Sequence, residues 1–67
     1  MDSLTLKQCR VLREKTQEDM AKLLNVHVQT YRKFEDNPGS VTVDQAKAIC
    51  EYLDFDYDVI FFAERRA

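Results

Sequence analysis

The stretch Thr16-Gln17-Glu18-Asp19-Met20-Ala21-Lys22-Leu23-Leu24-Asn25-Val26-His27-Val28-Gln29-Thr30-Tyr31-Arg32-Lys33-Phe34-Glu35 decides the fold. Thr16 has the chemistry of a helix N-cap, because its hydroxyl accepts from one of the free N–H groups of the first turn. Met20, Ala21, Leu23 and Leu24 then fall on one side of a helix, and Glu18, Asp19 and Lys22 on the other, with both acids near the positive end of its dipole. Asn25 stops that helix, since asparagine tolerates the left-handed backbone that follows a helix end. A second helix starts around Val28 and runs to about Glu35, where Asn37-Pro38-Gly39 breaks the chain.

The two helices are joined by three or four residues, too few for side-by-side antiparallel packing but suited to a steep crossing. That is helix-turn-helix geometry, over residues 17–35. Ala21 supplies the small residue where the helices touch, Asn25 the turn, and Val26, Tyr31 and Phe34 the apolar inner face. With Val28 at zero and about 100° per residue, Arg32 lies near 40°, Gln29 near 100° and Lys33 near 140°. Thr30, Phe34 and Tyr31 lie near 200°, 240° and 300° on the same scale. The outer face therefore presents Val28, Gln29, Arg32 and Lys33, with no acid among them. Such groups read base edges: glutamine pairs with adenine, lysine or arginine with guanine N7 and O6, and a methyl packs on thymine.

Outward from this pair, Thr5 with Gln8, and Thr42 with Gln45, have the form of capping boxes. The first introduces a helix near 6–14 with Leu6, Cys9 and Leu12 at helical spacing. The second introduces one with Val43, Ala46, Ile49, Cys50 and Leu53 inward, ended by Asp54. Residues 57–62 suit a helix or a strand, because Val59-Ile60-Phe61-Phe62 is a short apolar run; Asp56 as an N-cap favours a helix. The expectation is one all-α domain over residues 1–67, a compact five-helix bundle whose last segment is open to a strand reading.

Length and composition agree with one small domain. A chain of 67 residues removes only about 60% of its unfolded surface from water, so its stability is marginal and a dimer interface would help it. One Gly and one Pro are few for a protein of many turns. Cys9 and Cys50 both sit in apolar-periodic segments and read as reduced core residues. There is no export signal at the N-terminus and no run approaching about 20 apolar residues, so a cytoplasmic protein with no membrane partner is expected.

An enzyme is disfavoured: there is one histidine, no glycine-rich phosphate loop, and no nucleophile and base that can be placed together. No cofactor or small-molecule substrate is expected. His27 lacks Cys or His partners at metal-ligand spacing, so it reads as a cap or a phosphate contact. Asp54-Phe55-Asp56-Tyr57-Asp58 resembles a calcium loop only briefly, since Val59 stands at the required glycine and Arg65 at the final acid.

Arg10, the run from Thr16 to Val26, Thr30, and Lys33-Phe34-Glu35 together resemble the phage Cro/CI-type, XRE-like helix-turn-helix domain. The likeness covers about residues 4–62 and implies a five-helix, lambda-repressor-like DNA reader, usually dimeric, of the kind found in phage repressors, antirepressors, bacterial regulators and antitoxins. The ending Asp58-Val59-Ile60-Phe61-Phe62 resembles small regulators on phages and mobile elements of Gram-positive bacteria. By this resemblance Gln17 meets a DNA phosphate. Val28, Gln29 and Lys33 face bases in the major groove, and His27 lies beside the backbone. Arg10 and Glu35 match a pair that ties the first helix to the end of the third.

The departures carry expectations too. Glu14-Lys15 replaces a usual Gly-Leu, which implies a first turn built differently and one missing core contact. Cations that hold phosphates after the third helix are replaced by Ser40, Val41 and Val43, which implies a weaker grip on the backbone. Val28 replaces a hydrogen-bonding residue, which implies fewer base contacts.

Five of the seven aromatics lie between residues 52 and 62. Some complete the core, Phe55 first, and Tyr57, Phe61 and Phe62 are the expected homodimer contact. A dimer would set two recognition helices about one DNA turn apart on a roughly palindromic operator. The functional expectation is a transcriptional regulator that occupies double-stranded DNA in the bacterial nucleoid. The alternative is a protein-binding helix-turn-helix module, such as a phage antirepressor or inhibitor.

A net charge of −2 does not oppose the DNA reading once it is divided. Residues 1–43 carry seven basic and six acidic side chains, and residues 44–67 three and six. Between residues 20 and 34 the charges are Lys22, Arg32 and Lys33 alone. A salt-sensitive grip on one face and an acidic rear follow.

Overall fold

A computed structural model describes residues 4–65, and the side chains of residues 4–61. Its elements are α1 (Leu6–Leu12), α2 (Gln17–Leu24), α3 (Val28–Asp36), a single 3-10 turn at Pro38–Ser40, α4 (Val43–Leu53) and α5 (Tyr57–Arg65). No strand occurs among the described residues.

Three of the five helices start on a threonine with a reciprocal capping box. Thr5 Oγ1 accepts from the Gln8 N–H at 3.0 Å while Gln8 Oε1 accepts from the Thr5 N–H at 2.8 Å. Thr42 and Gln45 repeat this at 3.1 and 2.9 Å. Thr16 does the same with Asp19, at 3.0 and 2.9 Å, the carboxylate taking the place that glutamine fills in the other two. Each box satisfies N–H groups that a helix start otherwise leaves unpaired.

The ends are as regular as the starts. Glu14, Asn25 and Asp54 have φ of 60°, 58° and 59°. In each case the next residue's N–H reaches back to a carbonyl of the last helical turn: Lys15 to Arg10 at 3.1 Å, Val26 to Ala21 at 3.0 Å, and Phe55 to Cys50 at 3.1 Å. This is the Schellman termination, made here without glycine. The first turn is thus built in the ordinary way, with Glu14 adopting the left-handed conformation that a glycine would take without steric cost. α1 stops at Leu12, two residues short of the span expected from its periodicity.

α5 resolves the ambiguity of residues 57–62. As a helix the segment satisfies its own backbone groups, whereas a lone strand in a helical bundle would have no ladder partner. Its turn to helix buries Ile60 and Phe61, at 5% and 2% exposure, against Leu6 and Cys9 of α1, Met20 and Ala21 of α2, Tyr31 of α3, and Ala46, Ile49 and Leu53 of α4. Leu4 adds a backbone tie, donating its N–H to the Val59 carbonyl at 3.1 Å.

Two apolar positions differ from the periodic reading. Leu12 is 60% exposed, because steps of three residues drift away from a buried stripe; Arg10, near Leu6 on the helical wheel, takes the inward place instead. Val43 is 52% exposed at the first turn of α4. The missing Leu after Glu14 is partly replaced by Lys15, whose ammonium lies 5.1 Å from the Tyr52 ring centre. Phe55 is half-buried under the Arg13 guanidinium, 4.3 Å from its ring centre, and Arg13 also donates to the carbonyls of Leu53 and Asp54 at 2.7 and 3.1 Å.

Cys9 and Cys50 are free and buried, as their apolar settings suggest. Burial pushes both thiols up, Cys50 to about 11, where Cys9 and Asp56 add to the effect. Such thiols are poor nucleophiles.

Candidate nucleic-acid interface

α2 and α3 are joined through Asn25, Val26 and His27, and Ala21, 4% exposed, is buried with Tyr31 in the shared core. Burial of Tyr31 and half-burial of Phe34, with their rings edge-on at 6.4 Å, fix the rotation of α3 about its axis. That rotation leaves Gln29, Arg32 and Lys33 exposed together. Val28 departs from the expected outer face: it is half-buried and packs against the core. Its place in the first turn, nearest the α2 junction, explains the difference. His27 is exposed and caps α3 through extended backbone (φ −68°, ψ 150°), with no capping hydrogen bond from its side chain.

Behind this face lies a chain of polar contacts running from α1 to α3. Arg10 Nε donates to Glu35 Oε2 at 2.6 Å, and Arg10 Nη2 to Glu35 Oε1 at 3.4 Å. Arg10 Nη1 donates to the Lys15 carbonyl at 2.9 Å. The two side chains retain only 11% and 6% of their accessible surface. Gln17 Nε2 donates to Glu35 Oε1 at 3.1 Å, and Gln17 Oε1 accepts from Arg32 Nε at 3.1 Å.

Burial by itself would raise the Glu35 carboxyl, but hydrogen bonds from Arg10 and Gln17, a nearby Tyr31 hydroxyl and the charge of Arg10 together hold it below the usual carboxylate range. The Arg10 guanidinium is correspondingly pushed up, chiefly by its hydrogen bond to Glu35. The Tyr31 hydroxyl is buried without a hydrogen bond of ordinary geometry. Burial, followed by the adjacent Glu35 carboxylate, drives its pKa upward and keeps it neutral.

The remaining expected site residues lie elsewhere. Tyr57 is half-buried and stacks on Phe61 at 5.3 Å between ring centres. Phe61 does not offer a face to a partner, being 2% exposed in the core of its own chain, where the helical form of α5 turns it inward. Phe62 falls outside the residues whose side chains are described. The segment after α3 carries the Pro38–Ser40 turn and no cation before Lys47.

The periodic reading located the outer residues but missed the contact between Gln17 and Arg32. Nothing in their spacing announces it, because it depends on how far α3 crosses over the start of α2. Among the described residues no group of His, Cys, Asp and Glu has the arrangement of a metal site, and no helix is long and apolar enough to cross a membrane.

A short-linked pair of crossed helices with a cationic, amide-bearing outer face is the form of a DNA-binding helix-turn-helix. A family model described as helix-turn-helix matches residues 6–60, and the chain belongs to that family, the XRE-type, Cro/CI-like helix-turn-helix proteins. It is accordingly a DNA-binding regulator of transcription. Comparison with curated proteins and with solved structures gave no significant match.

Proposed function

We propose that the protein acts in the bacterial cytoplasm as a sequence-specific regulator of phage or mobile-element type, occupying a roughly palindromic operator as a homodimer. The observation that carries this reading is the joint exposure of Gln29, Arg32 and Lys33 on α3, next to a helix start at Gln17. In the major groove Gln29 would read adenine, and Arg32 or Lys33 guanine. Gln17 and His27 would meet phosphates and set the register of α3. With Val28 half-buried, the reading set narrows to three side chains.

For the dimer, an open cleft of about 240 Å³ lies beside exposed Val43, lined by Pro38, Val41, Ala46, Tyr57 and Phe61. A second copy seated there would lean on the edges of Tyr57 and Val43 rather than on Phe61 itself.

Selection from random duplexes at low salt and dimer-saturating concentration tests the reading. A motif with two half-sites is expected. Gln29→Ala or Lys33→Ala should lose about 1–3 kcal/mol of discrimination at one position each. No enriched motif would refute it.

A protein-binding role for the same fold has one observation in its favour. Val11 and Leu12 are 55% and 60% exposed on α1, beside Leu4 and Lys7. A salt series on duplex DNA separates the readings: a DNA reader loses affinity steeply as salt rises, whereas a pure protein binder holds no duplex at any salt.

A further inference from the structure

We infer that the exposed face of α1 binds a second copy of this chain, the two α1 helices lying antiparallel so that Lys7 of each faces Glu14 of the other. The contact is separate from the cleft proposed above for the dimer, and it does not depend on the DNA-reading role of α3.

The face is apolar in its middle and oppositely charged at its ends. Val11 and Leu12 are 55% and 60% exposed, and with Leu4 and Gln8 they line an open depression along the helix. Lys7 stands in the first turn and Glu14 just past the last, both exposed. Neither has an ion-pair partner among the described residues. Glu14 is flanked in the chain by two cations, Arg13 and Lys15, but both are directed toward the end of α4. Arg13 donates to the Leu53 and Asp54 carbonyls at 2.7 and 3.1 Å, and the Lys15 ammonium lies over the Tyr52 ring. One end of the face therefore keeps a cation and the other an acid.

That polarity selects the partner. Positions seven residues apart on a helix are separated by about 10 Å along its axis, and Val11 lies near the midpoint of Lys7 and Glu14. A two-fold rotation about an axis at Val11 sets each Lys7 against the other copy's Glu14, making two pairs in one operation, with the apolar middles in contact. An isologous contact of this kind is self-complementary by symmetry. A partner surface of one sign would match one end and repel the other. Val11 and Leu12 supply the adhesion, and the exposed charges supply register and direction more than affinity.

The face also lies clear of the other candidate sites. Arg10, on the buried side of α1, reaches Glu35 at the end of α3, so the exposed side points away from Gln29, Arg32 and Lys33. It shares no lining residue with the cleft at Val41, Ala46 and Tyr57. A patch this small makes a weak contact. Where α3 holds copies on one duplex, effective concentrations near millimolar fill a contact that dilute solution leaves empty.

The test is made in Val43→Glu protein, so that association through the cleft does not mask the α1 contact. An acid in the first turn of α4 spoils the cleft's rim while suiting the helix dipole. Sedimentation equilibrium at low salt, up to about 1 mM chain, should show weak self-association. Lys7→Glu and Glu14→Lys should each weaken it at least about fivefold, since each turns two attractions into two repulsions. The double variant Lys7→Glu, Glu14→Lys should recover it to within about twofold, and so should an equimolar mixture of the two single variants, which restores both pairs between unlike copies. Val11→Asn should abolish association. Both charge changes suit the dipole of α1, so the variants stay folded, which circular dichroism checks. Glu14→Lys also neutralises a chain of net charge −2, so its loss of association cannot come from overall repulsion.

A mixture that associates no better than either single variant overturns the antiparallel pairing. Protein that stays monomeric to about 1 mM, or association unchanged by Val11→Asn, overturns the self-contact and leaves the face to a foreign protein. Neither result bears on the cleft dimer, which is judged by comparing the wild-type protein with Val43→Glu.

Discussion

Replacing Glu35 by alanine should cost more than any other single surface-adjacent change in this chain. The carboxylate accepts from Arg10 Nε at 2.6 Å, from Arg10 Nη2 at 3.4 Å and from Gln17 Nε2 at 3.1 Å. Without it, a guanidinium with 11% of its surface exposed keeps one carbonyl partner, that of Lys15, and no counter-charge. Removing one member of a buried pair costs about 3–5 kcal/mol. Since this pair lies at the edge of the core, the lower end applies, about 3 kcal/mol. A domain of 67 residues at about 0.05–0.15 kcal/mol per residue has roughly 3–10 kcal/mol in total. Glu35→Ala should therefore remove from about a third to all of the protein's stability.

The double variant Arg10→Met, Glu35→Leu should behave differently. It removes both charges and their desolvation cost together, and should be as stable as the wild-type protein or more so by about 1–4 kcal/mol. Urea titrations followed by circular dichroism measure both, with an unchanged m-value showing that the unfolding reaction is the same. A Glu35→Ala loss under about 1 kcal/mol, or a double variant no more stable than that single one, would refute the view that this pair is held out of water.

Other perturbations follow from the same structure. Glu14→Gly removes a left-handed strain of about 1–2 kcal/mol and adds about 0.5–1 kcal/mol of unfolded-state entropy. The net should be a small stabilisation, visible as a raised urea midpoint. Phe61→Ala should lose about 3–5 kcal/mol as a core truncation; a variant that keeps its midpoint but changes its sedimentation would return Phe61 to an interface. For pH, the Glu35 carboxyl is held below its ordinary value of 4.5, so its contribution is present above that value and lost as pH falls through the folded pKa. Asp19, lowered by its hydrogen bonds at Thr16, acts in the same direction. At the other end, buried Cys9, Cys50 and Tyr31 are held neutral, so stability should decline as pH rises past about 9, where the unfolded thiols ionise first. Urea midpoints across pH should trace a dome, and in Glu35→Gln its acid limb should flatten.

Element boundaries were legible because they are local. Thr5 with Gln8 and Thr42 with Gln45 mark starts through contacts three residues apart, and Asn25 and Asp54 mark stops through their own backbone preference. Glu14 was not legible as an equivalent stop, since glutamate carries no such preference and is held there by the backbone bonds around it. The outer face of α3 was legible from angle alone for Gln29, Arg32 and Lys33. Val28 was misplaced because angle takes no account of distance along the axis, and the first turn of α3 lies under α2's end. Phe61 was misplaced for a related reason: aromatic density in a short segment does not say which ring turns inward. That depended on α5 being a helix, which the run Val59-Ile60-Phe61-Phe62 left open.

The capping boxes and Schellman ends have a kinetic consequence. α1, α2 and α4 each carry their own start and stop in contacts of three to five residues, and short links join successive helices. Chains dominated by such local contacts fold in microseconds to milliseconds. A protein that refolds this fast recloses before a protease can cut, so its survival in the cell tracks the equilibrium population of the open chain and not the rate of opening. The concentration of this regulator, and with it the occupancy of its DNA, is then governed by small changes in free energy at positions such as Glu14, which lies outside α3.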